Sequence, residues 1–237
     1  MTNTEGTIST INKTARIAGL MYLGNIITGI FAQVVRSSII VPGDAGATVG
    51  NIMASGLLFR FGFVSDLIMV MFYLMMGLLF YELLKQVDKN VALAMLLLNL
   101  AGVSMLGINM LNQFAPLLLL SGAEYLKVFS AAQLHALVMF FLDMQNYGYV
   151  IAAISYGAYL LPLGYLVFKS GYFPGILGVL LMAASFGQLI PLFQVSLLPG
   201  YDVITYPGLA VAIIAEFSFC LWLLVKGAEM PEMNPNK

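Results

Sequence analysis

Long apolar segments alternate with short polar ones from near the start of the chain to near its end. A membrane-spanning α-helix needs about 20 consecutive, predominantly apolar residues. Six segments meet this requirement, at residues 15–35, 57–84, 91–120, 131–168, 175–198 and 207–225. The pattern therefore predicts an all-α integral membrane bundle of six transmembrane helices, which occupies residues 15–226 between short tails at 1–14 and 227–237.

The fourth segment is longer than a bilayer requires. Its first turns are expected to lie along the outer interface or to extend beyond it. Pro162 is expected to kink its lower half, because proline removes one helical hydrogen bond. The connections at 36–51, 121–130 and 199–208 are rich in glycine, proline and aspartate, so they are expected to turn rather than to span.

Composition supports lipid as the solvent for most of the chain. Of the 237 residues, 61% are hydrophobic and only 9% are charged, and the mean hydropathy is +0.95. A soluble domain carries about 25% charged residues. The net charge of −1 gives no electrostatic reason to expect a nucleic-acid partner. Cys220 is the single cysteine, which excludes an internal disulfide and a cysteine metal cluster.

The distribution of basic residues predicts how the helices are oriented. Cytoplasmic loops of membrane proteins carry an excess of lysine and arginine. One set of basic residues falls at the same side of the predicted bundle: Lys13, Arg16, Lys85, Lys89, Lys169, Lys226 and Lys237. The remaining three lie nearer the opposite side: Arg36, Arg60 and Lys127. Both termini are therefore expected to be cytoplasmic.

Several polar residues interrupt the apolar segments, and each is costly in lipid unless it is paired. Counting the helical rise places Asp66 and Asn109 about 27 Å from the cytoplasmic end, and Asp143 higher still, near the outer headgroups. Arg36 and Arg60 reach the same level. This convergence predicts a polar cavity that opens to the outside.

Glu216 lies apart from this layer, about 15 Å from the cytoplasmic end and close to the bilayer midplane. Its carboxyl group is expected to be protonated, hydrogen-bonded to a neighbour such as Asn25, or exposed to a watery cavity.

Helical spacing groups part of the outer polar layer on shared faces. Asn109, Asn112 and Gln113 are spaced i, i+3, i+4 and share one face of the third helix. The fourth helix has three polar residues with the same spacing, Asp143, Asn146 and Tyr147. His135 falls within about 20° of Asn146 around that helix. Small residues continue this stripe inward, so the stripe is expected to face protein rather than lipid.

Most catalytic chemistries lack the residues that they need. His135 is the only histidine, which excludes a two-histidine metalloprotease helix and a bis-histidine haem. The chain contains no phosphate-cradling glycine loop and no Gly-x-Ser-x-Gly nucleophile motif. We therefore expect no catalytic residues, no cofactor and no metal site.

Several sequence blocks are similar to those of a known family. They are RIAGLMYL at 16–23, RSSIIVPGDA at 36–45, LFRFGFVSDLI at 58–68, LLLLSGAEYL at 117–126, FFLDMQNYGY at 140–149, GYFPGILGVLL at 171–181 and LLPGY at 197–201. Together they resemble domain-of-unknown-function family 4386, whose members are uncharacterised prokaryotic multi-pass membrane proteins. The resemblance covers nearly the whole chain. It implies a multi-pass protein of the prokaryotic plasma (inner) membrane and brings no established activity.

Three hypotheses of function follow. In the first, the protein binds or transports a small molecule or ion in the outer polar cavity. Its binding residues would be Asp66, Asn109, His135, Asp143 and Asn146. Arg36 or Arg60 would supply the counter-charge. Glu216 would act as a deeper relay or gate.

The second hypothesis is a structural or regulatory membrane subunit that has no ligand, and the third is an intramembrane enzyme that modifies a lipid. In the third, His135 and Asp143 would serve as general base and orienting group, but they lie about 80° apart around one helix and about 12 Å apart along it. The lipid bilayer is the partner that composition requires, and homo-oligomerisation stays open.

Overall fold

The computed structural model describes residues 2–229, with side chains described from Thr10 onward. Within that range the regular elements are helical and no strand occurs. The α-helices are α1 (Thr2–Ile39), α2 (Ala45–Ala54), α3 (Gly56–Leu84), α4 (Lys89–Leu119), α5 (Ala131–Ala158), α6 (Leu160–Ser170), α7 (Gly175–Leu197) and α8 (Tyr206–Val225). Short 3₁₀ turns lie at Glu124–Leu126 and Asp202–Thr205.

The described residues contain six helical stretches that are long and apolar enough to cross a membrane. They are Thr10–Ile39, Gly56–Leu84, Lys89–Leu119, Ala131–Ser170, Gly175–Leu197 and Asp202–Val225. The predicted all-α fold with six spanning helices is confirmed. The orientation of the termini stays a prediction. Residues 1 and 230–237, which belong to the predicted tails, lie outside the described residues.

Each span also carries large apolar side chains that no other part of the protein covers. Ile108 is 71% exposed and Ile213 is 58% exposed, although both occupy the middle of long helices. Exposed apolar surface on this scale marks contact with a membrane or a partner. A helix forms its backbone hydrogen bonds within the segment, so its apolar side chains can face lipid.

The connection after α1 does not simply turn, as the sequence led us to expect, but forms helix α2. Asp44 caps this helix, since its side-chain oxygen accepts a 2.8 Å hydrogen bond from the backbone N–H of Ala47. The hydroxyl of Thr48 also bonds to the backbone N–H of Val41 at 3.0 Å. Local capping by a short polar side chain therefore converts a glycine-rich connection into a helix.

The fourth span passes from α5 to α6 at one residue, Tyr159, whose backbone stays in the right-handed helical region. Helical hydrogen bonds continue across it, from the N–H of Tyr159 to the carbonyl of Ser155 and from the N–H of Leu163 to the carbonyl of Tyr159. Pro162 lies in the first turn of α6 and has no N–H to donate to the carbonyl of Ala158. The kink expected at Pro162 stays a prediction.

The chain divides into two compact units. The second unit comprises Gly24–Met71 and Ser104–Ala152, and the first comprises Phe72–Val103 with the described parts of Met1–Leu23 and Ala153–Lys237. Both units draw on several of the six spans, so each contains segments that are distant in sequence.

The core of the first unit is rich in aromatic rings. Phe80 and Phe219 stack with their ring centres 5.6 Å apart, and Phe173 meets Phe219 edge-on at 5.4 Å. Edge-on and offset arrangements are the favourable ones for aromatic pairs. In the same unit α7 and α8 approach through Gly187 and Gly208, where a Cβ on either glycine would overlap the backbone of the other. Glycine is required at this crossing.

The core of the second unit is mainly aliphatic, with one aromatic ring, that of Phe59. Its buried cluster joins the last turns of α1 with α2, α3 and α5, and consists of Val35, Ile39, Val49, Ile52, Phe59, Val138 and Leu142. This cluster holds the end of α1 and the start of α5 in place, which matters because both helices supply polar residues to the same cavity.

Candidate functional site

A polar cavity of about 330 Å³ lies in the second unit. Its polar lining comes from two helices: Gln33, Arg36 and Ser37 of α1, and Asp143, Gln145 and Asn146 of α5. The α1 residues are spaced i, i+3, i+4, so they share one helical face. We call this space the α1–α5 cavity. It brings together three of the residues that the sequence nominated, which are Arg36, Asp143 and Asn146.

Arg36 is fixed in the cavity wall by an ion pair with Asp66. Asp66 is completely buried on α3 and Arg36 is 11% exposed. The sequence could not distinguish Arg36 from Arg60 as the partner of this carboxylate, and the structure selects Arg36. Arg36 also lies in the last turn of α1, where a positive charge interacts favourably with the helix dipole.

Further contacts hold both members of this pair. The hydroxyl of Tyr149 donates a 2.8 Å hydrogen bond to Oδ1 of Asp66, and Gln113 hydrogen-bonds the same carboxylate. The guanidinium of Arg36 lies 5.3 Å from the centre of the Tyr149 ring and donates to Oε1 of Gln33 at 3.0 Å. Buried ion pairs need such additional hydrogen bonds to offset their desolvation.

The charges around the cavity do not all cancel. The carboxylate of Asp66 neutralises the charge of Arg36, and Asp66 is not one of the residues that line the cavity. Asp143 is exposed to the cavity and makes no ion pair with another described residue. The described lining therefore presents one uncompensated negative charge, together with the amide of Asn146 and the hydroxyl of Ser37.

Asn109 serves a different purpose from the lining residues. Its Nδ2 donates a 2.8 Å hydrogen bond to the backbone carbonyl of Gln145, and its Oδ1 accepts one from Asn112 at 3.0 Å. Gln145 in turn donates to Gln113 over 3.5 Å. These bonds join α4 to α5, so the shared polar face that the sequence indicated on the third span acts here as a helix–helix contact.

The packed face of α5 differs from the stripe that spacing suggested. In the second unit the buried positions of α5 are Val138, Leu142, Gln145 and Ala152, whereas the small residues Ala153 and Gly157 of the predicted stripe are buried in the first unit. Asp143 and Asn146 are exposed at the cavity, and Tyr147 is 49% exposed. The expected stripe through Asp143, Asn146 and Tyr147 is therefore not the face that packs against protein at this level.

Two other nominated residues lie away from the cavity lining. His135 is half-buried near the start of α5 and does not line the α1–α5 cavity with Asp143. Arg60 is exposed on α3 and forms no ion pair within the described part of the chain. The structure thus leaves Arg36 as the basic residue of this cavity.

Glu216 belongs to the first unit, where two neutral side chains donate to it. Oε2 of Glu216 accepts a 3.1 Å hydrogen bond from the hydroxyl of Tyr22, and Oε1 accepts one of 3.1 Å from Nε2 of Gln188. Asn25, which depth suggested as a neighbour, instead donates to the backbone carbonyl of Met69 at 3.0 Å. The partners of Glu216 thus come from α1 and α7.

Sequence reasoning missed six residues that build these contacts or line the cavity: Tyr22, Gln33, Ser37, Gln145, Tyr149 and Gln188. One signal was present, since Gln33 and Arg36 are spaced i, i+3 on α1. Among the described residues, no group of three or more histidine, cysteine, aspartate or glutamate side chains is placed to hold a metal ion.

Six apolar spanning helices with a polar cavity define a multi-pass helical membrane protein. The chain belongs to the family described as "Domain of unknown function (DUF4386)", whose model matches residues 17–227. It is also similar to an uncharacterized protein of Archaeoglobus fulgidus, with 31% identity over 160 residues that cover 65% of this chain and 75% of the relative. No solved structure matches the chain.

Proposed function

We propose that the protein binds a small polar solute in the α1–α5 cavity and carries it across a prokaryotic cell membrane. The observation that supports this most directly is the Asp143 carboxylate, which forms no ion pair with another described residue. Asp143 and Arg36 both line a cavity of about 330 Å³, in a chain with only 9% charged residues. A cavity of this size suits a small metabolite, since ligand sites range from about 300 to 1,000 Å³.

The chemistry of the lining indicates the class of solute. Arg36 is held by Asp66 and by Gln33, so it presents a fixed donor rather than a free positive charge. Asp143 supplies the net negative charge, and Asn146 offers an amide that can donate or accept. A small amine or zwitterion, with its ammonium group against Asp143, satisfies these groups best.

Transport, rather than binding alone, is supported by the architecture. Both termini are predicted to be cytoplasmic, which would place the α1–α5 cavity towards the outer face. The fourth span contains Pro162, which cannot donate a hydrogen bond to the carbonyl of Ala158. A proline within a spanning helix weakens it locally, which allows part of the helix to move, and such helices are common in transporters.

The proposal is tested with purified protein and its Asp143→Asn variant. Small molecules that copurify in mild detergent are identified by native mass spectrometry, and uptake of the identified compound is then measured in proteoliposomes. Glu124→Gln is the matched control, because Glu124 is an exposed carboxylate of the same unit that pairs with Lys127. We expect a bound amine or zwitterion that wild type and Glu124→Gln retain and Asp143→Asn loses. Equal retention and uptake in all three proteins would contradict the proposal.

A second candidate function is a structural subunit without a ligand. The observation that favours it is the complete hydrogen bonding of Asp66, which accepts from both Arg36 and Tyr149. If the polar residues only hold helices together, Asp66→Asn would lower thermal stability, whereas Asp143→Asn would change neither stability nor any bound mass. A solute lost specifically from Asp143→Asn would exclude this candidate.

A further inference from the structure

We propose that the first unit contains a second binding site, for a monovalent cation of sodium's size, formed by Glu216 together with Tyr22 and Gln188. None of these three residues lines the α1–α5 cavity. The site is independent of the solute proposed above, since it concerns the binding of an ion to a different set of side chains.

The three side chains lie on the packed faces of their helices. On α8, Glu216 is spaced by three or four residues from buried Ala212, Phe219 and Cys220. On α7, Gln188 follows buried Ala184 and Ser185, and on α1, Tyr22 follows buried Ala15 and Ala18. Spacing of i, i+3, i+4 and i+7 marks one helical face. The carboxylate is therefore directed at protein rather than at lipid.

Glu216 and Gln188 are nevertheless only half-buried. A particle the size of a water molecule can therefore reach Glu216. Tyr22, by contrast, is 1% exposed and forms a closed side of the site.

The charge of Glu216 has no protein counter-charge in the described structure. The ion pairs found within residues 10–229 involve Asp66, Glu82, Glu124 and Asp88, but not Glu216. Tyr22 and Gln188 donate hydrogen bonds to it, yet both are neutral. A carboxylate among aromatic side chains is costly without a positive partner. A single monovalent cation would neutralise it.

A further buried hydroxyl oxygen lies in the same unit. Tyr159 is 2% exposed and its hydroxyl has no hydrogen-bond partner among the described residues. Tyr159 also interacts electrostatically with Glu216. Buried hydroxyl groups are nearly always bonded, so this oxygen is available to a further partner.

Tyr159 is the residue between α5 and α6, three positions before Pro162. The proline leaves the carbonyl of Ala158 without its helical N–H donor. Backbone carbonyls freed from helical bonding coordinate sodium in membrane transporters. The collected oxygens are those of a carboxylate and of tyrosine hydroxyls, which are ligands that hard cations prefer, while Nε2 of Gln188 donates to Glu216. One carboxylate matches one positive charge, so the geometry favours an alkali cation over a divalent one.

The test measures the thermal unfolding midpoint of the purified full chain as sodium chloride replaces choline chloride at constant ionic strength. A bound ion stabilises the folded state in proportion to the logarithm of its concentration. We expect the wild-type midpoint to rise by about 4 °C between 1 and 100 mM sodium. In Glu216→Gln, whose side chain has the same shape but no charge, the rise should disappear. Glu82→Gln is the matched control, because Glu82 is an exposed carboxylate of the same unit, and it should respond as wild type does.

A second variant keeps the test decisive if Glu216→Gln does not fold. Tyr22→Phe retains the ring and removes the hydroxyl next to Glu216, so it should shift the sodium dependence to concentrations several-fold higher. Sodium binding is also measured directly by ²³Na nuclear magnetic resonance. The wild-type protein should broaden the sodium resonance, and Glu216→Gln should not. A wild-type midpoint that does not distinguish sodium from choline overturns the proposal, as does an unchanged sodium response in both variants.

Discussion

The hydroxyl of Tyr149 donates a 2.8 Å hydrogen bond to Oδ1 of Asp66, while the ring of the same tyrosine lies 5.3 Å from the guanidinium carbon of Arg36. One side chain thereby contacts both members of a buried ion pair. This arrangement connects α1, α3 and α5 within the second unit, and it fixes the guanidinium that forms one wall of the α1–α5 cavity.

The first prediction concerns the ion pair. Asp66→Asn leaves Arg36 without its counter-charge in a nearly closed environment. Removal of one partner of a buried pair typically costs about 3–5 kcal/mol of unfolding free energy. We expect a clear drop of the thermal unfolding midpoint in detergent. The double variant Arg36→Met with Asp66→Leu should lose less than Asp66→Asn alone, because no unpaired charge remains. A double variant that is less stable than the single one would show that the pair itself supplies net stability.

The second prediction separates the two contacts of Tyr149. Tyr149→Phe removes the hydrogen bond to Asp66 but keeps the ring beside Arg36. Hydrogen bonds to charged groups contribute about 1.5–3 kcal/mol, so the unfolding midpoint should fall measurably. Tyr149→Leu also removes the ring and should cost about 0.5–2 kcal/mol more. If the two variants are equally stable, the cation–π contact contributes nothing.

The third prediction rests on a contact that α4 makes twice. Asn109 donates to the carbonyl of Gln145 and fills the space that a Cβ on Gly148 would occupy. Asn99 does the same in the first unit, with the carbonyl of Tyr73 and the space at Gly77. Each asparagine thus packs against a glycine and bonds to a backbone carbonyl one turn earlier on the neighbouring helix.

Gly148→Ala should therefore displace the Asn109 amide and leave polar groups unpaired, at a cost of about 1–3 kcal/mol. The loss should be less than additive when Gly148→Ala is combined with Asn109→Ala, since the second change removes the group that clashes. Gly107→Ala is the control, because no atom lies within 4 Å of the position that its Cβ would take. Additive losses in the double variant would show that the two residues do not interact.

The number and position of the spans could be predicted from sequence because both depend on the length of apolar segments alone. The predicted segment 175–198 differs from helix α7, Gly175–Leu197, by a single residue. Helix α2 could not be predicted in the same way, because it is ten residues long and depends on one cap, Asp44. Capping depends on backbone geometry that apolar length does not reveal.

The candidate site was less predictable. Depth along the helices brought Arg36, Asp66 and Asp143 to one level, but it could not choose between Arg36 and Arg60 as partner. The inward face of α5 also could not be read from hydrophobicity, because α5 is apolar on all sides and lipid accepts either face. Spacing alone favoured Asn146, whereas contacts with neighbouring helices place Gln145 inside.

The last prediction tests the orientation of the spans. Cys220 is the only cysteine, so a Cys220→Ser background allows single cysteines to be labelled at chosen sites. Glu124, with its side chain 84% exposed, lies between α4 and α5, and Gln86 is exposed between α3 and α4. If the excess of basic residues marks the cytoplasm, Glu124→Cys should react with a membrane-impermeant maleimide in intact cells. Gln86→Cys should react only after permeabilisation. The opposite pattern would invert the proposed orientation and place the α1–α5 cavity towards the cytoplasm.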